Sequence, residues 1–483
     1  MYKLSVCRKL VFSGIIISAL ILLPEFTCAQ ISSSSQNLSA YQKLSVDIFR
    51  ELIEINTTVN MGSTEAAEAM ASRLKDAGFP ENEINIVGPS PQHMNLVFRL
   101  KGKGTLPPVL FIGHLDVVEA LVQDWSFDPF KFREIDGYFY GRGTTDMKNE
   151  DAELVANLVR LKTEGFQPDR DIIVALTDDE EGGPANGIQW LIANRRDLVN
   201  AEYCINPDGG GGSIKEGRVI IISIQTSEKV YADFTLEVHN KGGHSSLPVK
   251  DNAIYHLSEA LTRIAHYDFP LDMNETSRMF FERSAQTETG QIKADMLAVA
   301  KIPTDTAAAN RLANASAYYN SIMRTTCVAT IINGGHANNA LPQTAKANVN
   351  CRLMPDDKAI NVFSTLKNII NDPQVELTTS YAAVPGPLSP MRQDVLESVD
   401  RITASMWPGV VVTPVMSTGA TDGKWLRAAG IPVYGVSGMF GDVDDVRAHG
   451  KDERIGVKEF YNGVEFMYTL MKTLSSDKSQ KLK

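Results

Sequence analysis

The chain is poor in cysteine, with five in 483 residues. So few cannot staple a disulfide scaffold. It is also short of positive charge: 47 Lys and Arg stand against 58 Asp and Glu, for a net charge of −11. A nucleic-acid binder needs the opposite balance to displace counterions from phosphate. Past the first thirty residues no apolar run approaches the roughly 20 residues that span a bilayer. Two signatures are missing as well. No Gly-x-Gly-x-x-Gly turn follows an early strand, as a dinucleotide site requires; Gly209 to Gly212 come after a late strand and before no clear helix. No Gly-x-Ser-x-Gly elbow is present for a serine hydrolase. What is there is an ordinary globular composition, 43% hydrophobic and 22% charged. At about 100–200 residues per domain, the length predicts two or three domains.

Residues 1–29 read as a secretory signal. Lys3, Arg8 and Lys9 precede an apolar run over 10–23, and Thr27-Cys28-Ala29 offers a small-residue cleavage site before Gln30. A membrane anchor would need a longer run. A lipoprotein would need small apolar residues before Cys28, where Glu25-Phe26-Thr27 stand. The expectation is an exported protein, periplasmic or secreted, with no stable membrane span after cleavage. Cleavage removes three basic residues and Glu25, which takes the net charge to −13. It leaves Cys204, Cys327 and Cys351. The last two flank a hairpin symmetrically, but hairpin pairing alone rarely satisfies disulfide geometry, so the balance favours free thiols.

Periodicity then orders the chain. Helical spacing over 38–52 is followed by a second helix that Ser63-Thr64 should cap and Gly78 should end. Strands are predicted at 95–100, 108–112, 171–176 and 201–205, with helices at 149–162 and 187–194. The runs at 108–112 and 171–176 are apolar throughout, as strands covered on both faces are. This alternation predicts an α/β domain with a largely parallel sheet covered by helices. The pattern changes near 225. Residues 230–239 alternate as a half-buried strand, 252–266 and 358–370 are helical, and 326–332 and 345–353 are strands. These predict a smaller inserted α+β domain, within which 271–319 reads as a further insertion. The α/β pattern resumes from 394. The division expected is 30–225 and 386–483 for the first domain and 226–385 for the second.

In open α/β sheets ligands bind beyond the carboxyl ends of the strands, and there the sequence places metal-type residues. His114 and Asp116 are two apart in extended chain and share a side. Asp146 precedes a helix, as a cap or as a carboxylate able to bridge two metals. Asp178-Asp179-Glu180-Glu181 is either a solvated acidic loop or a place where one carboxylate binds metal and its neighbour moves a proton. Asp208 stands before Gly209, where a turn is the simple reading. Each simple reading holds alone; four together at one sheet edge are poorly explained as turns. His244 and His449 lie in Gly-flanked loops, where backbone can approach a ligand.

These residues carry a resemblance. Gly-His-Leu-Asp at 113–116, Gly-Arg-Gly-Thr-Thr-Asp-Met-Lys at 141–148, Asp-Glu-Glu-Gly-Gly at 179–183, Asp208, Gly-Gly-His-Ser-Ser at 242–246 and His449 occur in one order. In that order they resemble the zinc-dependent exopeptidases that include carboxypeptidase S, glutamate carboxypeptidase, aminoacylases, acetylornithine deacetylase and succinyl-diaminopimelate desuccinylase. The resemblance covers nearly all of the chain after the signal, and the long insertion resembles the carboxypeptidase S branch more than the short-lidded desuccinylases.

The resemblance implies a catalytic domain with an inserted lid or dimerisation domain, and two zinc ions, with cobalt or manganese as substitutes. His114 and Asp208 would hold one ion and Glu181 and His449 the other, with Asp146 between them. Asp116 would hold His114, Glu180 would be the general base, and His244 would stabilise the oxyanion, within one chain or across a homodimer. Asn339, Arg352 and Gly419 would contact the substrate; Arg suits a carboxylate through paired hydrogen bonds, though Arg352 also reads as a solvent-facing strand residue. Ala420 departs from the usual glycine-loop pattern. The implied reaction is cleavage of an amide next to a free carboxylate, in small peptides or N-acyl amino acids. An aminopeptidase or dipeptidase on the same metals is the nearest rival, and a non-enzymatic exported binding protein is the rival of another class.

Overall fold

The computed structural model describes residues 38–379 and 383–476. The signal segment, with Cys7 and Cys28, lies outside the described residues.

A six-stranded sheet organises the catalytic part. Its order is Ile84–Ser90, His93–Leu100, Ile172–Thr177, Val109–His114, Tyr203–Ile205, Val433–Tyr434. The last four strands are parallel. The first two form an antiparallel edge. Val109–His114 and Ile172–Thr177 are buried at every position, which is what uninterrupted apolar runs require. Their side chains alternate between two cores. Phe111, Val174 and Leu176 face the helices Ala40–Glu54, Lys148–Thr163 and Val457–Leu474. Leu110, Ile112, Ile173 and Ala175 face Gly187–Asn194. Leu154, Leu158 and Leu161 are fully buried from one helix face. Burying each contributes about 1.5–3 kcal/mol. Ser63 does not cap its own helix: its hydroxyl donates to Asp178 at 2.7 Å instead.

A second sheet, Val411–Ser417, Arg218–Glu228, Gly211–Lys215, Phe440–Asp442, was legible only in part. Its hairpin turns at Glu216 and Gly217, both with positive φ, +50° and +73°. That is the geometry of a two-residue turn whose favoured residues are Asn, Asp and Gly; a Glu at the first position hides it.

The chain enters the inserted domain at Val230. Thr326–Gly334, Thr344–Leu353, Val230–His239 and Val375–Thr379 form an antiparallel sheet in that order. Its buried side shares one core with the helices Ala253–Ala265 and Ala359–Ile370. Cys327 and Cys351 are directly opposed in the register, Cα to Cα 4.1 Å, and form a disulfide. This corrects the expectation of free thiols: the pair sits face to face, so no backbone movement is needed. Cys204 is free and buried.

Residues 271–323 cover the stretch that the sequence reads as a further insertion. They fold into four short helices, Glu275–Ser284, Gly290–Val299, Thr306–Ala315 and Ala317–Met323, that extend beyond the inserted domain. Phe280, Phe281, Met296 and Leu312 form a core that takes in Met354, just past the inserted sheet, and Met416 of the second sheet. Arg283 donates to the Val412 carbonyl, and buried Lys229 donates to the carbonyls of Ser321 and Arg324. The block therefore ties the inserted domain to the catalytic part. Helices of only seven to ten residues leave little periodicity to read in a sequence. Among the described residues, no helix is long and apolar enough to cross a membrane.

Candidate metal centre

Three parallel neighbours deliver the first groups to one edge. His114 ends its strand, Glu180 and Glu181 follow Thr177, and Asp208 follows Ile205. Asp146 stands two residues before Lys148–Thr163, across a cis Asp146–Met147 peptide. His449 comes from the loop after Phe440–Asp442, in the left-handed region at φ +61°. A non-glycine residue there costs roughly 1–2 kcal/mol, met by the contacts that fix the loop.

Asp146 faces both histidines. Its Oδ1 is 3.1 Å from His114 Nε2 and its Oδ2 is 2.9 Å from His449 Nε2. Glu181 Oε1 lies 2.7 Å from the same His449 nitrogen. Two donor sets result, His114–Asp146–Asp208 and Asp146–Glu181–His449, each with its ligand atoms within 4.8 Å of one another. They share Asp146, with one oxygen turned to each.

The electrostatics call for cations. Burial pushes the Asp208 carboxyl up to about 7, with Asp146 adding to it. Burial raises Glu180 well above the usual carboxylate range, reinforced by Asp208, Asp422 and Glu181. Burial raises Glu181 as well, with Asp146 contributing. The hydrogen bond to Asp146 lifts His449 to about 9 against its partial burial. Burial alone would lower His114, yet Asp146 and Asp116 hold its imidazolium well above the ordinary range. So many carboxylates gather stably only when opposite charge compensates them. Imidazole and carboxylate donors suit zinc, cobalt or manganese, so the residues present fit a pair of divalent ions.

The four-acid run divides, which is how it avoids self-repulsion. Asp178 turns away: its Oδ1 accepts from Ser63 Oγ and the Asp179 backbone N–H, and its Oδ2 accepts from Ser63 N–H and lies 2.7 Å from His93 Nδ1. Asp179 accepts from the Ala185 N–H. Glu180 and Glu181 keep the inner side. Asp116 acts somewhat differently from the expectation. The His114 ring is held by the Asp116 backbone carbonyl at 3.0 Å, its carboxylate oxygen being 3.6 Å away. That carboxylate accepts instead from the backbone N–H groups of Glu180 and Glu181, at 3.1 and 2.9 Å. It therefore fixes the loop that carries both glutamates.

Two buried braces were not foreseen. Glu453 pairs with Arg142 at 2.5 Å and accepts from the N–H and hydroxyl of Thr145. Arg142 reaches the backbone carbonyls of His449 and Gly450. The pair thus joins the loop of Asp146 to the loop of His449. Asp422 accepts from Asn186 Nδ2 at 2.5 Å and from the Thr177 hydroxyl, beside Glu180. Arg142 stood inside the quoted motif at 141–148, and Asp422 is three residues after Gly419; Glu453, three residues before Gly456, had no local signal.

The other predicted residues are not in this cluster. His244 is exposed in the inserted domain, its Nδ1 bonded to the Ser246 hydroxyl. Asn339 is beside it, accepting through its carbonyl from Ser245 N–H. Arg352 lies near the other end of the inserted sheet, opposite Tyr231 and over its ring at 4.8 Å. Along Thr344–Leu353, that separates it from the His244 end by eight strand positions, about 27 Å. Gly419 is exposed, its N–H bonded to Ser417 Oγ.

Comparison with known proteins identifies the family of the chain. The chain is 28% identical to a probable carboxypeptidase S-like protein of Dictyostelium discoideum, over 81% of this chain and 75% of that one. It is 29% identical to the human N-fatty-acyl-amino acid synthase/hydrolase PM20D1, over 79% and 77%. Among solved structures, a metallo-carboxypeptidase of Sulfolobus solfataricus superposes with a TM-score of 0.64 at 15% identity, covering 89% of this chain and 98% of that one. Human carnosine dipeptidase 1 gives 0.60 at 16% identity, covering 90% and 96%. At such identities the structural matches speak for the fold. The sequence profile of peptidase family M20/M25/M40 matches residues 110–473, a span that begins in the His114 strand and ends in the last helix, and the chain belongs to this family of metal-dependent hydrolases.

Proposed function

We propose that the protein is an exported hydrolase that uses two zinc ions to cleave an amide next to a free carboxylate, in small peptides or N-acyl amino acids. The observation that carries the reading is the shared Asp146, with one oxygen on each histidine and half-buried Glu180 close to Asp208 and Glu181. His114 and Asp208 would hold one ion, Glu181 and His449 the other, and Asp146 both. When bound, the metal pair supplies Lewis acidity to the scissile carbonyl and to the attacking water. Glu180 takes the proton of that water and passes it to the leaving nitrogen, work suited to a carboxyl whose proton affinity burial has raised. Asp116 keeps Glu180 in place through its backbone N–H.

Arg352 and Asn339 are the candidates for the substrate carboxylate, and His244 for the oxyanion. Arg352 lies where the chain enters the inserted domain, whereas His244 and Asn339 lie off the far end of the sheet. One substrate touches all three only if His244 and Asn339 come from a second chain. The edge strand Thr326–Gly334 exposes Val328, Ile331 and Ile332. An unpaired apolar edge of this kind invites a second copy. The proposal therefore includes a homodimer formed through this edge.

Hydrolysis tests the reading. Zinc-loaded protein should release the amino acid from N-acyl amino acids or the carboxy-terminal residue from dipeptides. No turnover of either panel by protein holding two metals would overturn it. For export, secretion of the full chain from a bacterial host should leave a product beginning at Gln30; retention of uncut chain contradicts that part.

A further inference from the structure

A second group of metal-type side chains gathers at the antiparallel edge of the six-stranded sheet. His93 opens the strand His93–Leu100, and Asp178 and Asp179 follow Ile172–Thr177. These strands pair with Leu96 opposite Leu176. Carried three residues further, that register sets His93 opposite Asp179. His93 Nδ1 lies 2.7 Å from Asp178 Oδ2 and 3.4 Å from Asp179 Oδ1. The three residues offer ligand atoms within 4.8 Å of one another, and none of them belongs to the sets that share Asp146.

The charges in this group do not balance. The Asp178 side chain is 1% exposed and that of Asp179 0%. Among the described residues, no Lys or Arg pairs with either carboxylate. A proton on His93 Nδ1 serves one oxygen, and Asp178 at 2.7 Å takes it. Asp179 Oδ1 is left buried with no hydrogen-bond partner, a costly state for a carboxylate. The fold nevertheless holds it there. Asp179 sits in the left-handed region at φ +61°, and its Oδ2 accepts from the Ala185 N–H. Gly183 leaves the room, since a Cβ there would stand 1.7–2.2 Å from the Asp179 carboxyl group. Ser63 fixes Asp178 in turn.

The geometry points to a further metal site, in which His93 Nδ1, Asp178 Oδ2 and Asp179 Oδ1 hold one divalent cation. One imidazole and two carboxylates suit zinc, cobalt or manganese. Around a tetrahedral ion such donors stand roughly 3.3–3.5 Å apart. The His93–Asp179 distance already meets this, and the His93–Asp178 contact opens by about 0.7 Å. A divalent ion neutralises both carboxylates, where an imidazolium neutralises one. His93 is 15% exposed, so water reaches the remaining coordination position. Because the ion must displace the Nδ1 proton into solvent and stretch one contact, it is held less tightly than the pair and leaves on dialysis. When bound, it ties the residues directly before Glu180 and Glu181 to the sheet edge. The site depends on neither the metal pair nor the reaction proposed above.

The test is a calorimetric titration of zinc into zinc-loaded, dialysed protein whose retained metal has been counted by elemental analysis. The parent should take up one more equivalent than His93→Ala or Asp179→Asn. The second variant keeps an acceptor for the Ala185 N–H and removes the charged donor, so it serves where the first fails to fold. Anomalous diffraction at the zinc edge, from crystals held in free zinc, should place an ion about 2.0–2.1 Å from His93 Nδ1. Equal uptake by the parent and either folded variant overturns the site. So does an anomalous map without a peak between His93 and Asp179, which would leave His93 as an ion-pair partner only. Neither measurement reads turnover, so failure here leaves the hydrolase reading standing, and failure of that reading leaves this site untouched.

Discussion

Glu180 and Asp146 divide the work of the site, and substitution should separate them. Glu180→Gln removes the group that moves the proton but none of the proposed metal ligands. It should lower kcat by about 10²–10⁴-fold while elemental analysis still finds two metals per chain. Asp146→Ala removes a donor from both sets, so the same assay should find the metals lost. Glu453→Gln tests a brace. Arg142 is buried beside it, and an unpaired buried charge costs about 3–5 kcal/mol; denaturant unfolding should show that loss. The difference in legibility among these residues is physical. His114, Asp146, Glu181, Asp208 and His449 sit in Gly-flanked turns at strand ends, so local sequence marks them. Glu453 acts on Arg142 across 311 residues of chain, and nothing near either residue announces the other.

At the scale of elements, the parallel strands and their covering helices were readable because each carries its own period. The hairpin at residues 211–228 was not, because Glu216 occupies a left-handed turn position that its residue type does not advertise. The disulfide was misjudged because register, which decides whether two cysteines face each other, is a property of the paired strands and not of either alone. Its loop spans 24 residues, and a bridge of that size stabilises by about 3 kcal/mol. Cys351→Ser should therefore lower the unfolding temperature, and reducing agent should lower the parent protein to the same value. The edge strand offers a further check. Ile331→Asp places a charge on an exposed position, so the monomer should still fold; sedimentation should show the proposed dimer lost, and activity should fall with it.

For the whole molecule, the acidic surplus noted in the sequence has a partly local cause, since five carboxylates converge on two donor sets and their braces. Without metal, several hold protons near neutrality. Asp116 and Asp208, both raised by burial to about 7, and Glu150, raised by burial to about 8, have folded values above their unfolded ones. Their contribution to stability is complete below the unfolded values and is lost as pH rises through 7–8. Metal-free protein should thus lose thermal stability from pH 5 to 7, and the gap to the zinc-loaded form should widen. Because Asp208 and His449 must shed protons to bind metal, zinc binding at pH 6.5 should release protons, seen by calorimetry in two buffers of different ionisation enthalpy. The central claim is the reaction itself, cleavage beside a free carboxylate on a metal pair. Its most direct test compares one N-acyl amino acid with its carboxamide, using zinc-loaded enzyme. The account predicts kcat/KM at least about 100-fold higher for the free acid, the scale of a charge-assisted paired hydrogen bond. Equal turnover of the two, or turnover only of substrates with a free amino terminus, would contradict it.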